Sequence, residues 1–188
     1  MQNNTSARRV ALLGALLAIS LVLAVAENML GALAPLPIPG VKLGLANIVS
    51  LFILSYFSLP AALVVGLLRA FLASLFSGGL GVFLFSAPGA LLSILAMAAA
   101  QRGIRALSLA GISMIGACVH NLAQVCVAVL LTGETNLFYY AFALIAVGAV
   151  AGTITGIVAR TTFSRVAGAL GIKQRQIHKL QESHGGVR

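Results

Sequence analysis

Long apolar runs separated by short polar or glycine- and proline-rich breaks dominate this chain. Cutting at those breaks gives six candidate helices. The first runs from about Val10 to Leu33 and stops at Pro35-Leu36-Pro37-Ile38-Pro39. The second covers about Lys42 to Phe57. The third starts at Pro60 and reaches about Phe76, where Ser77-Gly78-Gly79-Leu80-Gly81 makes a turn. The fourth extends to about Ala100, with Pro88-Gly89 inside it as a kink or break. After Gln101-Arg102-Gly103-Ile104-Arg105, the fifth runs from about Ala106 to Leu131. A loop from Thr132 to Asn136 leads to the sixth, from about Leu137 to Ala159.

Runs of this length suit a membrane. A helix needs about 20 mainly apolar residues to cross the hydrocarbon core. A barrel would instead show alternating segments of about ten residues. Backbone groups in lipid must be satisfied within the element, so helices are expected throughout. Composition agrees: 60% of the 188 residues are hydrophobic and 8% charged, and mean hydropathy is +1.07. The expected fold class is an all-α integral membrane bundle of six transmembrane helices over residues 1–160, followed by a basic tail over 161–188.

Charge adds direction. The net charge of +9 sits at the ends of apolar runs, without the fold or aromatic interleaving of a nucleic-acid binder. With six spans, Arg8, Arg9, Arg102, Arg105, Arg160, Arg165, Lys173, Arg175, Lys179 and Arg188 share one face. Glu134 marks the other, with Glu27 and Lys42 near its edge. Both termini are then cytoplasmic, and the basic tail suits anionic lipid heads. The first run is too long for a cleaved signal peptide, because the first plausible cleavage would remove part of the fold. Cys118 and Cys126, about 12 Å apart along one helix, exceed disulfide reach and lack metal-type spacing. No metal or other cofactor is expected.

Candidate chemistry lies in the polar residues within the spans, which are costly in lipid and usually face a cavity or a partner. Measured from the outer helix ends at 1.5 Å per residue, Glu27 lies about 9 Å down, Asn47 about 8 Å, and Arg69 and Gln124 about 10 Å. His120 lies about 16 Å down. His120 and Gln124, four apart, share a helix face, and Asn121 adjoins them. Groups from four spans at one depth suggest a chamber open to the outside, with Lys42 above it. Simpler readings stand beside this one. Glu27 and Arg69 can pair only with each other. Asn47, Asn121, Gln124 and His120 can be interhelical hydrogen-bonding glue. Lys42 can merely reach for the interface.

On the first span, Ala11-Leu12-Leu13-Gly14-Ala15-Leu16-Leu17-Ala18 puts Ala11 and Ala15 four apart, with Gly14 and Ala18 beside them. Small residues at this spacing permit close helix approach, although an alanine-rich span also produces the pattern by chance.

Glu27-Asn28-Met29-Leu30, followed by Pro37-Ile38-Pro39-Gly40-Val41-Lys42-Leu43-Gly44-Leu45-Ala46-Asn47-Ile48, resembles the signature of the Gx transporter family. That family is also labelled heptaprenyl diphosphate synthase component I, and is similar to the substrate-binding S components of energy-coupling factor (ECF) vitamin transporters. The resemblance covers the chain in length and span number, although only these residues are distinctive. It implies a six-helix S-component-like bundle in the cell membrane that binds a small molecule outside and releases it inside. It also implies partners: a transmembrane coupling protein, docked on Ala11, Gly14, Ala15 and Ala18, and two cytoplasmic ATPases. The chain has no phosphate-binding Gly-x-x-x-x-Gly-Lys-Ser/Thr loop of its own.

The synthase label meets a chemical objection. Prenyl elongation holds magnesium on aspartate-rich motifs, whereas this chain has no aspartate and only Glu27, Glu134 and Glu182. His120 also lacks a second catalytic group at helical spacing. The expectation is a non-enzymatic binding subunit for a vitamin- or isoprenoid-like, partly anionic molecule. Lys42 and Arg69 would meet its anionic or carbonyl-rich end, and the proline segment would cap the chamber or simply link two helices. The alternative is an accessory subunit in isoprenoid, quinone or flavin-linked redox metabolism.

Overall fold

A computed structural model describes residues 3–33, 44–104 and 106–169. Pro35, Pro37, Pro39, Lys42, Arg105 and the tail from residue 170 lie outside the described residues. Six α-helices form: α1 (Asn3–Leu33), α2 (Leu45–Tyr56), α3 (Leu59–Ser77), α4 (Leu80–Gly103), α5 (Leu109–Thr132) and α6 (Phe138–Ala169). A single 3-10 turn, Thr135–Leu137, precedes α6, and no strand occurs among the described residues.

Local chemistry sets the helix ends. The Ser58 hydroxyl accepts the Ala61 N–H at the start of α3, with Pro60 in the first turn where its missing N–H costs nothing. The Ser108 hydroxyl does the same for Gly111 at the start of α5. Between α3 and α4 the chain reverses through Gly78 and Gly79, both at positive φ, and the Gly79 N–H donates to the Ser74 carbonyl. The α4 helix runs through Pro88 without a break, so of the kink or break expected there the break does not occur.

Five of the helices are long and apolar enough to cross a membrane, making this a multi-pass membrane protein. The expected second span is different. At 12 residues, α2 is about 18 Å long, well short of a crossing on its own. It is the centre of the bundle. Ten of its residues are buried, and it touches every other helix, while α1, α3, α4, α5 and α6 follow one another around it. The two ends of that arc, α1 and α6, do not meet among the described residues.

Glycine makes the closest seam. Gly148, Gly152 and Gly156 recur every four residues along α6 and face α5. A Cβ built on Gly152 would lie 2.7 Å from the Met114 Cα and 2.9 Å from the Ser113 carbonyl. Polar bonds lock the same seam: Ser113 Oγ and Thr155 Oγ1 are 2.9 Å apart, and the Asn121 amide donates to the Leu144 carbonyl at 2.8 Å.

One bundle end collects cations. Arg9 donates to the Ser58 hydroxyl, Gln101 beside Arg102 donates to the Ser55 hydroxyl at 3.1 Å, and Phe163 packs edge-on against Phe52 with centroids 5.0 Å apart. Arg160 and Arg165 flank that ring. The sixth helix thus continues ten residues beyond the expected end at Ala159, because Phe163 and Ala167 are buried in the core rather than belonging to a detached tail. The loop with Glu134 lies at the opposite end.

Candidate functional site

Toward the end away from the cations, five helices line a small, partly open cavity. Its walls include Ala24 and Glu27 from α1, Gly44 and the α2 residues Ala46 and Asn47, and Arg69, Ala70, Ala73 and Ser74 from α3. Val82 and Ser86 come from α4, and Ala117, His120 and Asn121 from α5. The interior is about 40 Å³, room for about three waters.

Glu27 anchors one side. It is buried, and its carboxylate accepts the backbone N–H of Gly44, the residue that starts α2. Gly44 has φ +76, a left-handed conformation that costs other residues about 1–2 kcal/mol. Its own carbonyl accepts the Asn47 N–H at 2.9 Å, closing the first turn of α2. One carboxylate on α1 therefore fixes where α2 begins and where Asn47 sits.

Arg69 faces Glu27 from α3. It is 5% exposed, and the Glu27 carboxylate acts on it coulombically. Its Nη1 is buried with no hydrogen-bond partner among the described residues. A buried donor left unmatched costs about 1–3 kcal/mol, and more when charged. Arg69 lines the cavity, while Nη1 itself lies behind the wall, closed to water.

His120 is seated by a glycine. A Cβ on Gly89 would come within 3.0 Å of the His120 Cε1 and 3.3 Å of the Gln124 Cγ. The notch behind Pro88 is thus filled by two α5 side chains one turn apart.

Of the seven side chains expected at a chamber, Glu27, Asn47, Arg69, His120 and Asn121 come together at the cavity. Gln124 does not join the lining; it packs on Gly89, one turn further along α5. Counting depth from helix ends assumed that all ends are level, and an overhang of one turn shifts a helix by about 5.4 Å. Lys42 lies outside the described residues. Asn121 also serves the seam, since its amide is bonded to α6. Sequence reasoning missed Ser74 and Ser86, and the alanines that give the space. A signal was present: Ala70, Ala73 and Ser74 lie within a turn or so of Arg69 on one face of α3.

The small residues of α1 stand apart from this site. Ala11, Gly14, Ala15 and Ala18 are all exposed, and nothing lies within 4 Å of a Cβ built on Gly14. They form an uncovered face of α1, opposite its contacts with α2 and α3.

A scan against protein families matched the model described as heptaprenyl diphosphate synthase component I over residues 16–162. The chain belongs to that family. Searches of curated proteins and of solved structures returned no match. For this component I family member, the matched region includes every residue of the cavity wall and all of α2 to α5, but starts after Ala11, Gly14 and Ala15. The described residues gather no group of three or more His, Cys, Asp or Glu side chains.

Proposed function

We propose that this component I family member is the substrate-binding subunit of an ECF-type transporter in the cell membrane. It captures a small vitamin- or isoprenoid-like molecule with a carbonyl-rich or anionic end from outside, for uptake driven by partner ATPases. The observation that carries this reading is the buried, oppositely charged Glu27 and Arg69 lining a cavity built from five helices. A purely structural ion pair would have no use for open space beside it. The cavity's size suits a polar end group; a larger body requires the outer helix ends to part. With both termini cytoplasmic, the cation-rich bundle end faces inward and the cavity lies in the outer half.

The exposed Ala11, Gly14, Ala15 and Ala18 face suits close approach of a helix from a membrane coupling protein. Under this reading, Ala15→Leu abolishes copurification of the coupling protein and ATPases, and abolishes uptake, while ligand binding is unchanged. Uptake persisting at the wild-type rate in Ala15→Leu removes that docking face.

The family description favours a second reading, an accessory subunit of isoprenoid, quinone or flavin-linked redox metabolism. A chain without aspartate would then leave magnesium-diphosphate chemistry to its partner. Copurification with a synthase or redox complex, without ATP-linked uptake, selects it.

A further inference from the structure

The exposed aromatic rings gather at the bundle end that carries Glu134. Phe138, Tyr139, Tyr140 and Phe142 open α6 and all face outward, Tyr139 with 80% and Phe142 with 79% of its surface exposed. The third tyrosine, Tyr56, is by contrast buried in the core against Phe52 and Phe163. On a lipid-facing helix, a tyrosine ring favours apolar surroundings, whereas its hydroxyl needs a hydrogen-bond partner that hydrocarbon lacks. The boundary between headgroups and acyl chains supplies both.

Helix lengths point to the same level. Tyr139 and Arg160 are 21 residues apart on α6, about 31 Å, which matches a hydrocarbon core about 30 Å thick. A second ruler runs along α4, where Leu80 and Arg102 are 22 residues apart, about 33 Å. Two contacts align the rulers. Asn121 bonds the Leu144 carbonyl, five residues into α6 from Tyr139. Its neighbour His120 is seated against Gly89, nine residues into α4 from Leu80. In near-parallel helices, Leu80 therefore stands within about one turn of the Tyr139 level. Beside it, the turn between α3 and α4 exposes Phe76 as well as Leu80 and carries no charged residue.

We propose that Tyr139 and Tyr140, flanked by Phe138 and Phe142, bind the headgroup–acyl boundary of the bilayer and, with Phe76 and Leu80, set the depth of the bundle. The two phenol hydroxyls donate to lipid ester or phosphate oxygens, and the rings lie among the first methylenes. Val150, which is exposed and about 16 Å further along α6, then sits near the bilayer centre. Asn121 at the cavity wall lies about 8 Å beneath the boundary, so the cavity is within the hydrocarbon depth of that leaflet rather than among its headgroups.

The chain contains no tryptophan, so Tyr139→Trp and Val150→Trp each introduce a single emitter. The full-length variants are reconstituted in phosphatidylcholine vesicles whose acyl chains carry bromine either near the ester or near the terminal methyl. Tyr139→Trp is expected to lose about twice as much emission to the shallow bromines as to the deep ones, and Val150→Trp to show the reverse order, given their separation of about 16 Å. Quenching of Tyr139→Trp by deep bromines as strongly as by shallow ones overturns the proposal. So does emission of a water-exposed indole quenched by neither, which would put this end in the aqueous phase. Absence of quenching together with crosslinked dimers overturns it as well, since a second copy would then cover the rings. Tyr140→Trp gives the same reading if Tyr139→Trp does not fold.

Discussion

At the scale of single residues, two glycines with opposite surroundings mark where backbone conformation matters. Gly44 holds φ +76 and gives its N–H to Glu27. Gly14 is helical with nothing within 4 Å of a built Cβ. Gly44→Ala is therefore expected to destabilise by about 1–2 kcal/mol, while Gly14→Ala stays within about 0.5 kcal/mol of wild type. Unfolding midpoints in a denaturing-detergent titration check both, and equal effects would remove the conformational explanation. The glycine before α2 was visible in the sequence, but not its bond to Glu27, because pairing across 17 residues depends on how α1 and α2 pack. Glu27 and Arg69 stood out readily, since ionisable groups within apolar runs are rare. Ser74 and Ser86 did not. A serine costs little in a helix when its hydroxyl bonds back to its own chain, as Ser74 does to the Phe71 carbonyl.

Among elements, α5 and α6 have the least freedom to separate. Gly152 brings the backbone of α6 onto Met114 and Ser113, so Gly152→Ala must push α5 away or distort it. The expected cost is about 1–3 kcal/mol, read as a lower unfolding midpoint; an unchanged midpoint would mean the seam is looser than its geometry. The four-residue glycine repeat lies in plain view along α6, yet its partner helix does not, as small residues permit approach without naming a neighbour. Helix positions were largely legible from apolar runs and caps. The end of α6 was not. Arg160 and Arg165 suggested a departure from the membrane, whereas buried Phe163 and Ala167 keep the helix on the core. The position of α2 was also hidden, because an apolar run of that length reads equally as a short span or a core helix.

For the whole molecule, the sorting of charge fixes an expected direction across the bilayer. Glu134 and Ser164 are both exposed and belong to opposite ends of the bundle. In a Cys118→Ser, Cys126→Ser background, Glu134→Cys is expected to react with a membrane-impermeant maleimide on intact cells. Ser164→Cys is expected to react only after lysis. The reverse pattern would turn the cavity toward the cytoplasm and exclude capture from outside. The arc of helices also keeps the cavity apart from the uncovered small-residue face of α1, so substitutions can address each alone.

The shortness of α2 bears on how the chain is inserted. A segment of 12 residues offers the membrane-insertion machinery too little greasy length for stable partition on its own. It is expected to enter in the company of α1 and α3, where the Glu27 carboxylate accepts the N–H of Gly44 just before it. Insertion is therefore expected to deliver α1, α2 and α3 as one unit, with the hollow beside Gly44 closing only once those helices pack.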